Sequence, residues 1–445
     1  MKSSRILAVG VAGALIAAVS SFADNWPSWR GPTGQGVSTE SGLPVEWSQT
    51  KNVRWKMPLP GPGNSTPVVW GEKVFITQAS GPGGQRRELI CVDRRTGEKL
   101  WNKGVTYREE ETTHKTNPQC SGSPATDGER VIVSFASAGV LCYDMEGKEL
   151  WRENLGKQDH IWGNGASPVI HGDLVLLNFG PGPRTFLVAM NKRTGKELWR
   201  NDEPGGRTGK NVRPGENKRE AWKGSWSDPA PFQSNGKTLM LMMYPGRLFA
   251  FDPLTGKEAW TCGGLNPLAY TSPIYSDGIA VGMGGFGGNT IAVRVGGKGD
   301  VTETHRLWRN ERTKQRIGSG VISDGHIYIL DDPGIAECVN LKTGNAVWQE
   351  RLRGKGPTSQ NWSSMVLAEG RLYAVNQGGD AFVLKASPKF ELLSVNPMGE
   401  KVIGSIAVSN GDLFIRGHKH LWCIAGPKKT ASRRLGESAS SSQSR

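Results

Sequence analysis

The segment CVDRRTGEKLW at residues 91–101 decides the fold, because close copies of it return along the chain. The copies read CYDMEGKELW at 142–151, MNKRTGKELW at 190–199, FDPLTGKEAW at 251–260 and VNLKTGNAVW at 339–348. In each copy an Asp or Asn, usually with a Thr two or three residues later, suits a tight turn, and the Gly supplies a positive φ. Each segment therefore predicts a β-hairpin whose second strand carries a Trp.

Each hairpin is preceded by a second recurring pattern: a Ser/Thr-Pro step or a variant of it (Asp228-Pro229, Ser319-Gly320), a short apolar run, a Gly turn and another apolar run. Pro is tolerated at the first residue of a strand, and the short runs between Gly turns are typical of strands. The repeat starts lie 41 to 61 residues apart, which fits four-stranded units. They fall at Pro67, Pro124, Pro168, Pro229, Pro273, Gly320, Met365 and Ile406.

A closing Trp presents a surface that one four-stranded sheet cannot bury, so it should dock on the following unit. The predicted docking residues are Trp55, Trp101, Trp151, Trp199, Trp260, Trp308 and Trp348. Radial closure of such units removes exposed sheet edges. The sequence thus predicts an all-β, eight-bladed β-propeller, with seven blades and an irregular addition as the alternative. The last repeat lacks an outer strand, which Val53–Lys56, with its Trp55, can supply from the N-terminal side.

The first 23 residues predict an export signal rather than structure. Lys2 and Arg5 precede the apolar run at 6–19, and small residues flank Phe22 before a cleavage site near Ala23. The propeller domain would then span 24–426, and the basic, Ser-rich tail at 427–445 would be disordered. We expect a soluble periplasmic or secreted monomer without a transmembrane segment.

The formal net charge of +14 is partly peripheral, since the signal and the tail contribute to it. A basic surface of this kind aids solubility, and no basic stripe with interleaved aromatics indicates a nucleic-acid partner. Cys91, Cys142 and Cys338 occupy equivalent small positions in different repeats, which favours buried free thiols. Cys120 and Cys262 lie outside this register, and the sequence leaves open whether they pair.

The closing pattern resembles the tryptophan-docking repeat of PQQ-like propellers, and the resemblance covers 53–425. The opening WPSWRGPTGQGVS at 26–38 looks like that of exported PQQ-repeat proteins of planctomycete-type bacteria. Such proteins are similar to the propeller lipoprotein of the β-barrel assembly machine. The resemblance implies a non-catalytic platform for envelope or exported proteins, in the manner of outer-membrane protein assembly.

The loops that enter the innermost strands should meet at one face of the propeller and form a funnel. A ring of aromatics, amides and one guanidinium there suits a flat or oxygen-rich ligand. The candidate ring comprises Asn64, His160, Trp162, Asn164, Trp222, Trp226, Asn266, Tyr270, Arg316, Asn361 and Trp362. The long insertion at 201–223 is either a lid or docking arm for this face or a tolerated surface loop.

The alternative function is a PQQ-dependent alcohol or sugar dehydrogenase, which would need PQQ, calcium and a catalytic Asp. The chain has no adjacent Cys pair and no CxxCH haem motif, and the spacing of Asp228 and Glu303 singles out neither. His418 and His420 lack an evident third metal ligand. We therefore predict no catalytic residue, no metal and no cofactor. A carbohydrate-binding propeller is a further alternative, suggested by the aromatic ring.

Overall fold

The computed structural model describes residues 25–204, 223–285, 287–311 and 315–425. The predicted signal segment, the basic tail, Trp222 and most of the 201–223 insertion lie outside the described residues.

The chain forms eight four-stranded antiparallel sheets arranged as a β-propeller, as predicted. Two strands precede the first complete blade: β1 (Val37–Ser38) and β2 (Val53–Pro58). Blades 1 to 3 contain β3 (Val68–Trp70), β4 (Lys73–Ser80), β5 (Arg86–Asp93), β6 (Lys99–Thr106); β7 (Ala125–Thr126), β8 (Arg130–Ser134), β9 (Val140–Asp144), β10 (Glu149–Glu153); and β11 (Val169–His171), β12 (Leu174–Phe179), β13 (Arg184–Asn191), β14 (Glu197–Pro204).

The remaining blades follow the same plan from the centre outward. Blades 4 to 6 and their additions contain β15 (Gly224–Ser225), β16 (Ala230–Ser234), β17 (Lys237–Tyr244), β18 (Arg247–Phe251), β19 (Glu258–Gly263), β20 (Leu268–Ala269); β21 (Ile274–Ser276), β22 (Ile279–Met283), β23 (Thr290–Arg294), β24 (Gly299–Asp300), β25 (Arg306–Asn310); and β26 (Val321–Ser323), β27 (His326–Leu330), β28 (Ile335–Asn340), β29 (Ala346–Arg351). Blades 7 and 8 contain β30 (Val366–Ala368), β31 (Arg371–Val375), β32 (Asp380–Lys385), β33 (Leu392–Pro397); and β34 (Ala407–Ser409), β35 (Asp412–Arg416), β36 (His420–Ala425).

A few short strands and helical turns lie outside the four-stranded blades. β15 pairs with β20 in parallel, and β24 adds to the outer edge of blade 4 beside β19. The helical turns are α1 (Thr302–His305) and the 3₁₀ turns Pro82–Gly84 and Ala136–Ala138.

The ring closes through β2, which supplies the outer strand of blade 8. It pairs antiparallel with β36, so that Trp55 lies opposite Cys423. One blade thereby joins two distant parts of the chain. The predicted eight blades and their N-terminal closure are both confirmed.

Burial falls from the second strand of a blade to its outer strand. All six residues of β12 are buried, because neighbouring blades cover both faces of the sheet. The outer strand β6 is largely exposed. The core therefore lies between blades, which is why continuous apolar runs rather than alternating ones mark the middle strands.

The docking tryptophans contact the turn of the following blade. Trp151 of blade 2 donates from Nε1 to the carbonyl of Lys192 in blade 3 at 2.9 Å, and its ring covers Gly195 of that turn. Equivalent hydrogen bonds to the next blade are made by Trp55, Trp101, Trp199, Trp308 and Trp348. Trp260 is buried without such a bond among the described residues, since the turn of blade 5 is replaced by the altered segment around α1.

The N-terminal segment at 26–38 crosses the centre of the ring. Trp26 pairs with Val69 of blade 1, the N–H of Thr126 in blade 2 donates to the carbonyl of Pro27, and β1 pairs with β30 of blade 7. The Gln35 side chain accepts from the N–H of Tyr275 in blade 5 at 2.8 Å. The opening motif is therefore part of the propeller centre.

Candidate ligand-binding site

A closed ring of eight hydrogen bonds surrounds the central channel. One residue from each blade donates its backbone N–H to the side-chain oxygen of the equivalent residue in the next blade, over 2.8 to 3.1 Å. The members are Thr66, Ser123, Ser167, Asp228, Ser272, Ser319, Ser364 and Ser405. The Ser/Thr-Pro steps of the sequence thus fix the blades to one another at the start of each inner strand.

Asp228 is the carboxylate member of this ring. Its Oδ1 accepts from the N–H of Ser167, and its own N–H donates to Ser272. Burial raises the pKa of the Asp228 carboxyl to about 8, against the hydrogen bonds from Ser167, which lower it. The second carboxylate considered from the sequence, Glu303, lies in α1 at the outer edge with an exposed side chain.

Above the ring, the loops that lead into the inner strands enclose a funnel cavity of about 240 Å³. Five of the residues predicted for the funnel contribute to its wall. They are Asn64, Trp162, Trp226, Tyr270 and Trp362. Ring members Ser123, Ser167 and Ser405 also line it, so the hydrogen-bonded ring forms part of its wall.

The aromatic wall is held by contacts between neighbouring loops. Trp226 donates from Nε1 to the carbonyl of Gly163 at 2.9 Å and meets Tyr270 edge to face at 5.1 Å. Trp162 packs on His114, with ring centres 4.6 Å apart. These contacts place the rings before any ligand arrives, which reduces the entropic cost of binding.

Three other predicted residues support the loops without lining the funnel cavity. His160 is buried edge-on against Trp226, and burial lowers the pKa of its imidazole to about 4. Asn164 donates to the carbonyl of Gly180 at 2.6 Å. Asn361 is buried and donates to the carbonyls of Leu330 and Ser363.

Asn266 and Arg316 also lie outside the funnel wall. Asn266 accepts from the N–H of Asn289 at 2.7 Å and thereby shapes a loop. Arg316 is fully buried and forms ion pairs with Asp331, at 2.8 Å, and with Glu337. The guanidinium predicted for the funnel is therefore occupied by two carboxylates within the fold.

The residues of the funnel wall that were not predicted from the sequence include Trp29, Asn117 and Gln315. Trp29 lines both the funnel and a second cavity of about 340 Å³ beside the inner strands of blades 2, 3 and 4. It comes from the opening motif, which carried the family resemblance. This motif lies outside the repeats, so the repeat spacing could not place Trp29 at the funnel. Asn117 precedes an inner strand and belongs to the same loop class as Asn64.

The two histidines considered as a metal pair have separate environments. His420 contacts Glu400 at 2.8 Å through Nδ1, whereas burial lowers the pKa of His418 to about 4. Within the described part of the chain, no group of three His, Cys, Asp or Glu residues is placed to hold a metal ion.

The described funnel wall does not fit pyrroloquinoline quinone. That cofactor is flat but bears several carboxylates, and the dehydrogenases that use it usually hold Ca²⁺ beside it. The tryptophans offer stacking surfaces, yet none of the described residues in the wall is charged. The described wall offers no protein carboxylate for the cation and no protein cation for the carboxylates of the cofactor, so their desolvation would be compensated only by each other. The six cysteines are all free, so none forms a disulfide beneath the funnel.

The hydrogen-bonded ring, the Trp-docked blades and the strand-closed eighth blade define a PQQ-like β-propeller. The chain belongs to the family described as "Outer membrane protein assembly factor BamB", whose model matches residues 33–218 and 245–425. No helix in the described ranges is both long and apolar enough to cross a membrane.

Solved structures with the same fold include a BamB protein and several dehydrogenases. BamB from Moraxella catarrhalis shares 13% identity at a TM-score of 0.56, covering 83% of this chain and 96% of that one. A europium-containing methanol dehydrogenase shares 12% identity at a TM-score of 0.65, covering 89% and 90%. Quinohemoprotein alcohol dehydrogenase from Comamonas testosteroni shares 13% at 0.64, covering 94% and 83%. Identities this low show the fold alone.

Among curated proteins, a polyvinylalcohol dehydrogenase of Pseudomonas sp is 24% identical over 192 residues. The match takes in 40% of this chain and 29% of that protein. The chain thus matches less than a third of the length of this relative.

Proposed function

We propose that this protein is a non-catalytic propeller that binds other exported proteins in the cell envelope, with the aromatic funnel as its docking site. The wall of the funnel, which is uncharged over its described residues, carries this proposal. An apolar, aromatic surface with a few amides suits an apolar polypeptide segment, whose backbone needs hydrogen bonds and whose side chains need burial. Membership of the BamB-described family supports the same role.

Two polar atoms of the wall residues support a ligand that both donates and accepts. Asn64 Oδ1 and Trp162 Nε1 are shielded from solvent and have no hydrogen-bond partner among the described residues. An unpaired buried polar atom costs free energy that a suitable partner recovers. Because both atoms are shielded, a peptide N–H would reach the Asn64 oxygen, and a peptide C=O the Trp162 nitrogen, only after these side chains turn toward the cavity.

A neutral glycan is the second candidate ligand, because aromatic faces beside Asn117 and Gln315 amides also suit sugar rings. The dehydrogenase alternative has the support of the fold relatives, but the uncharged wall argues against the cofactor that it requires. Each candidate therefore predicts a different ligand for the same cavity.

The test compares three probes on purified mature protein. They are a fluorescently labelled unfolded outer-membrane protein, neutral oligosaccharides, and PQQ with Ca²⁺ followed by dye-coupled oxidation of alcohols. We expect saturable binding of the unfolded protein. A double variant, Trp162→Ala with Trp226→Ala, should weaken it about tenfold or more, because each aromatic contact contributes about 0.5–1.5 kcal/mol beyond the area that it buries.

The matched control is Leu254→Ala, which trims a side chain that is 71% exposed, in the turn between β18 and β19. It should bind like the parent protein. Urea unfolding of both variants separates lost docking from lost folding. Saturable PQQ binding with alcohol turnover would overturn the proposal. Oligosaccharide binding without protein binding would show instead that the funnel is a glycan-binding site.

A further inference from the structure

A cleft next to the funnel is lined by three lysines: Lys115, Lys355 and Lys401. This lysine cleft has a volume of about 670 Å³. It opens between the loops that precede the inner strands of blades 2, 7 and 8 and the turn that joins β31 to β32.

The lysine cleft and the funnel share three loops. Thr116 lines the cleft and the adjoining Asn117 lines the funnel. The same relation holds between Gln360 and Trp362, and between Lys401 and Ile403. The two cavities therefore lie on the same three loops, close enough for one extended segment to contact both.

The three ammonium groups have no ion-pair partner in the described part of the chain. Lys401 is half-buried, and burial together with the charge of Lys115 lowers its pKa. Two cations thus lie near one another at a partly desolvated site. An anion placed between them would offset both the desolvation cost of Lys401 and the repulsion between the two ammonium groups.

Two carboxylates in the wall of the cleft, Asp380 and Glu400, are already engaged and buried. Asp380 accepts from the N–H groups of Lys355 and Gly356 at 3.0 and 2.9 Å. Glu400 accepts from Trp422 Nε1 at 2.9 Å and also contacts His420. The oxygens of both carboxylates are therefore hydrogen-bonded within the fold, and the three lysines outnumber the two carboxylates in the cleft wall.

The donor set favours separate carboxylates over a single phosphate. Lysine binds phosphate as a point charge, usually together with bidentate Arg or converging backbone N–H groups, and the cleft wall has no described Arg. The N–H groups of Lys355 and Gly356 point to Asp380 instead. Lysines are point charges on flexible stems, and here they project from three different loops, which suits anions spaced along an extended chain.

We propose that the lysine cleft binds an acidic stretch of the same polypeptide whose apolar residues occupy the funnel. This inference rests on the proposed function and adds its ligand class: an apolar segment followed or preceded by several carboxylates. The funnel would bind the apolar residues of the segment, and the lysine cleft would favour segments that carry carboxylates.

Two labelled probe peptides test this inference. Both carry the same apolar and aromatic half, and the other half contains either several Glu or the same number of Gln. By fluorescence anisotropy we expect the Glu peptide to bind about tenfold more tightly, since three exposed to half-buried ion pairs each contribute modestly. Added salt should remove this advantage and leave the binding of the Gln peptide unchanged.

The decisive variant is Lys115→Gln with Lys355→Gln and Lys401→Gln. It should bind both peptides as the parent binds the Gln peptide. The control is Lys99→Gln with Lys196→Gln and Lys257→Gln, which removes the same charge from exposed positions on the outer parts of blades 1, 3 and 4. The control should keep the preference for Glu. Equal urea unfolding of the two triple variants would show that the charge, not folding, is responsible.

The outcomes separate the two proposals. If the Gln peptide binds and the Glu peptide gains nothing, the lysine-cleft inference fails while the funnel proposal stands. If neither peptide binds, the funnel proposal fails. If polygalacturonate binds through the three lysines and the Glu peptide does not, the cleft is a site for acidic glycans and the inference is overturned.

Discussion

The backbone N–H of Ser167 donates to Oδ1 of Asp228 at 2.8 Å, so that a carboxyl group stands where hydroxyl groups serve in the other seven blades. A hydroxyl can complete this ring without any charge. The carboxyl can do so at low cost only while it carries a proton, because it is buried. One blade therefore makes the central ring sensitive to pH.

We predict that the free energy of unfolding falls as pH rises through the range in which Asp228 titrates. Its pKa is about 8 in the folded protein and near 3.8 in the unfolded chain. Between these values the folded state holds a proton that the unfolded state has released. The contribution of protonated Asp228 to the free energy of unfolding is therefore fully present below the pKa of the unfolded chain. It is lost as the pH rises toward the pKa of the folded protein, by at most about 1.4 kcal/mol per pH unit.

Urea unfolding of Asp228→Ser and the parent protein, at pH values between about 5 and 8, measures this contribution. Serine restores the hydroxyl of the other blades, so the variant should show a flatter pH profile. Asp228→Asn keeps an acceptor without the charge and should behave in the same way. Parallel pH profiles for parent and variants would contradict the prediction. The difference between proteins removes the contributions of other titrating groups.

Blade docking can be tested at Gly195, whose φ is +75° and which lies beneath the ring of Trp151. A Cβ at this position would come within 2.6 Å of the Trp151 ring. Gly195→Ala should therefore destabilise the protein through overpacking as well as through backbone strain. Gly172→Ala is the matched control, since its φ is +56° and a Cβ there meets nothing within 4 Å.

We expect Gly195→Ala to cost about 1–3 kcal/mol more than Gly172→Ala in urea unfolding, because overpacking of a rigid contact has that magnitude. Equal losses would mean that the tryptophan moves aside freely and that backbone strain alone determines the cost.

The blade structure was predictable because its determinants are local. The turn sequence, the Ser/Thr-Pro step and the closing Trp recur at blade spacing, and each fixes its own strand or turn. The funnel was predictable only in part. Asn64 and Trp226 precede inner strands directly, whereas Trp29 reaches the funnel from a segment that crosses the ring centre. No repeat spacing encodes such a crossing.

The guanidinium of Arg316 illustrates a second limit of the sequence. Its position in the chain fits a funnel loop, but its charge is met by Asp331 and Glu337 from the next two segments of blade 6. Which polar side chain faces a cavity and which turns inward depends on partners that the spacing does not reveal. The lysine cleft was missed for a related reason, since its three lysines come from three distant loops.

Arg30 holds the N-terminal crossing in place and gives a third prediction. Its guanidinium donates to the carbonyls of Met365 at 2.8 Å, Gln35 at 2.9 Å and Gly320. Burial, with no carboxylate partner among the described residues, lowers its pKa to about 9. Arg30→Leu would leave these carbonyls unpaired, at about 1–3 kcal/mol for each that stays buried.

Limited proteolysis should then cut the 26–38 segment of Arg30→Leu much faster than that of the parent protein, before the blades unfold. Arg353→Leu, which replaces an exposed arginine in the loop between β29 and β30, is the control and should be cut at the parental rate. Unchanged cleavage in Arg30→Leu would show that the strand pairing of the segment, and not the arginine, holds it in place.

The last prediction concerns the six cysteines, which are all buried and free in the fold. Burial raises the pKa of the Cys91, Cys120 and Cys142 thiols to about 12, so almost no thiolate forms at neutral pH. Because the thiolate is the reactive form, the native protein should resist alkylation. Unfolding without a reductant should expose six thiols to alkylation, counted by mass spectrometry of the intact chain. A count of four would reveal a disulfide. Peptide mapping would then show whether Cys120 and Cys262 are joined, which would contradict their separation in different blades.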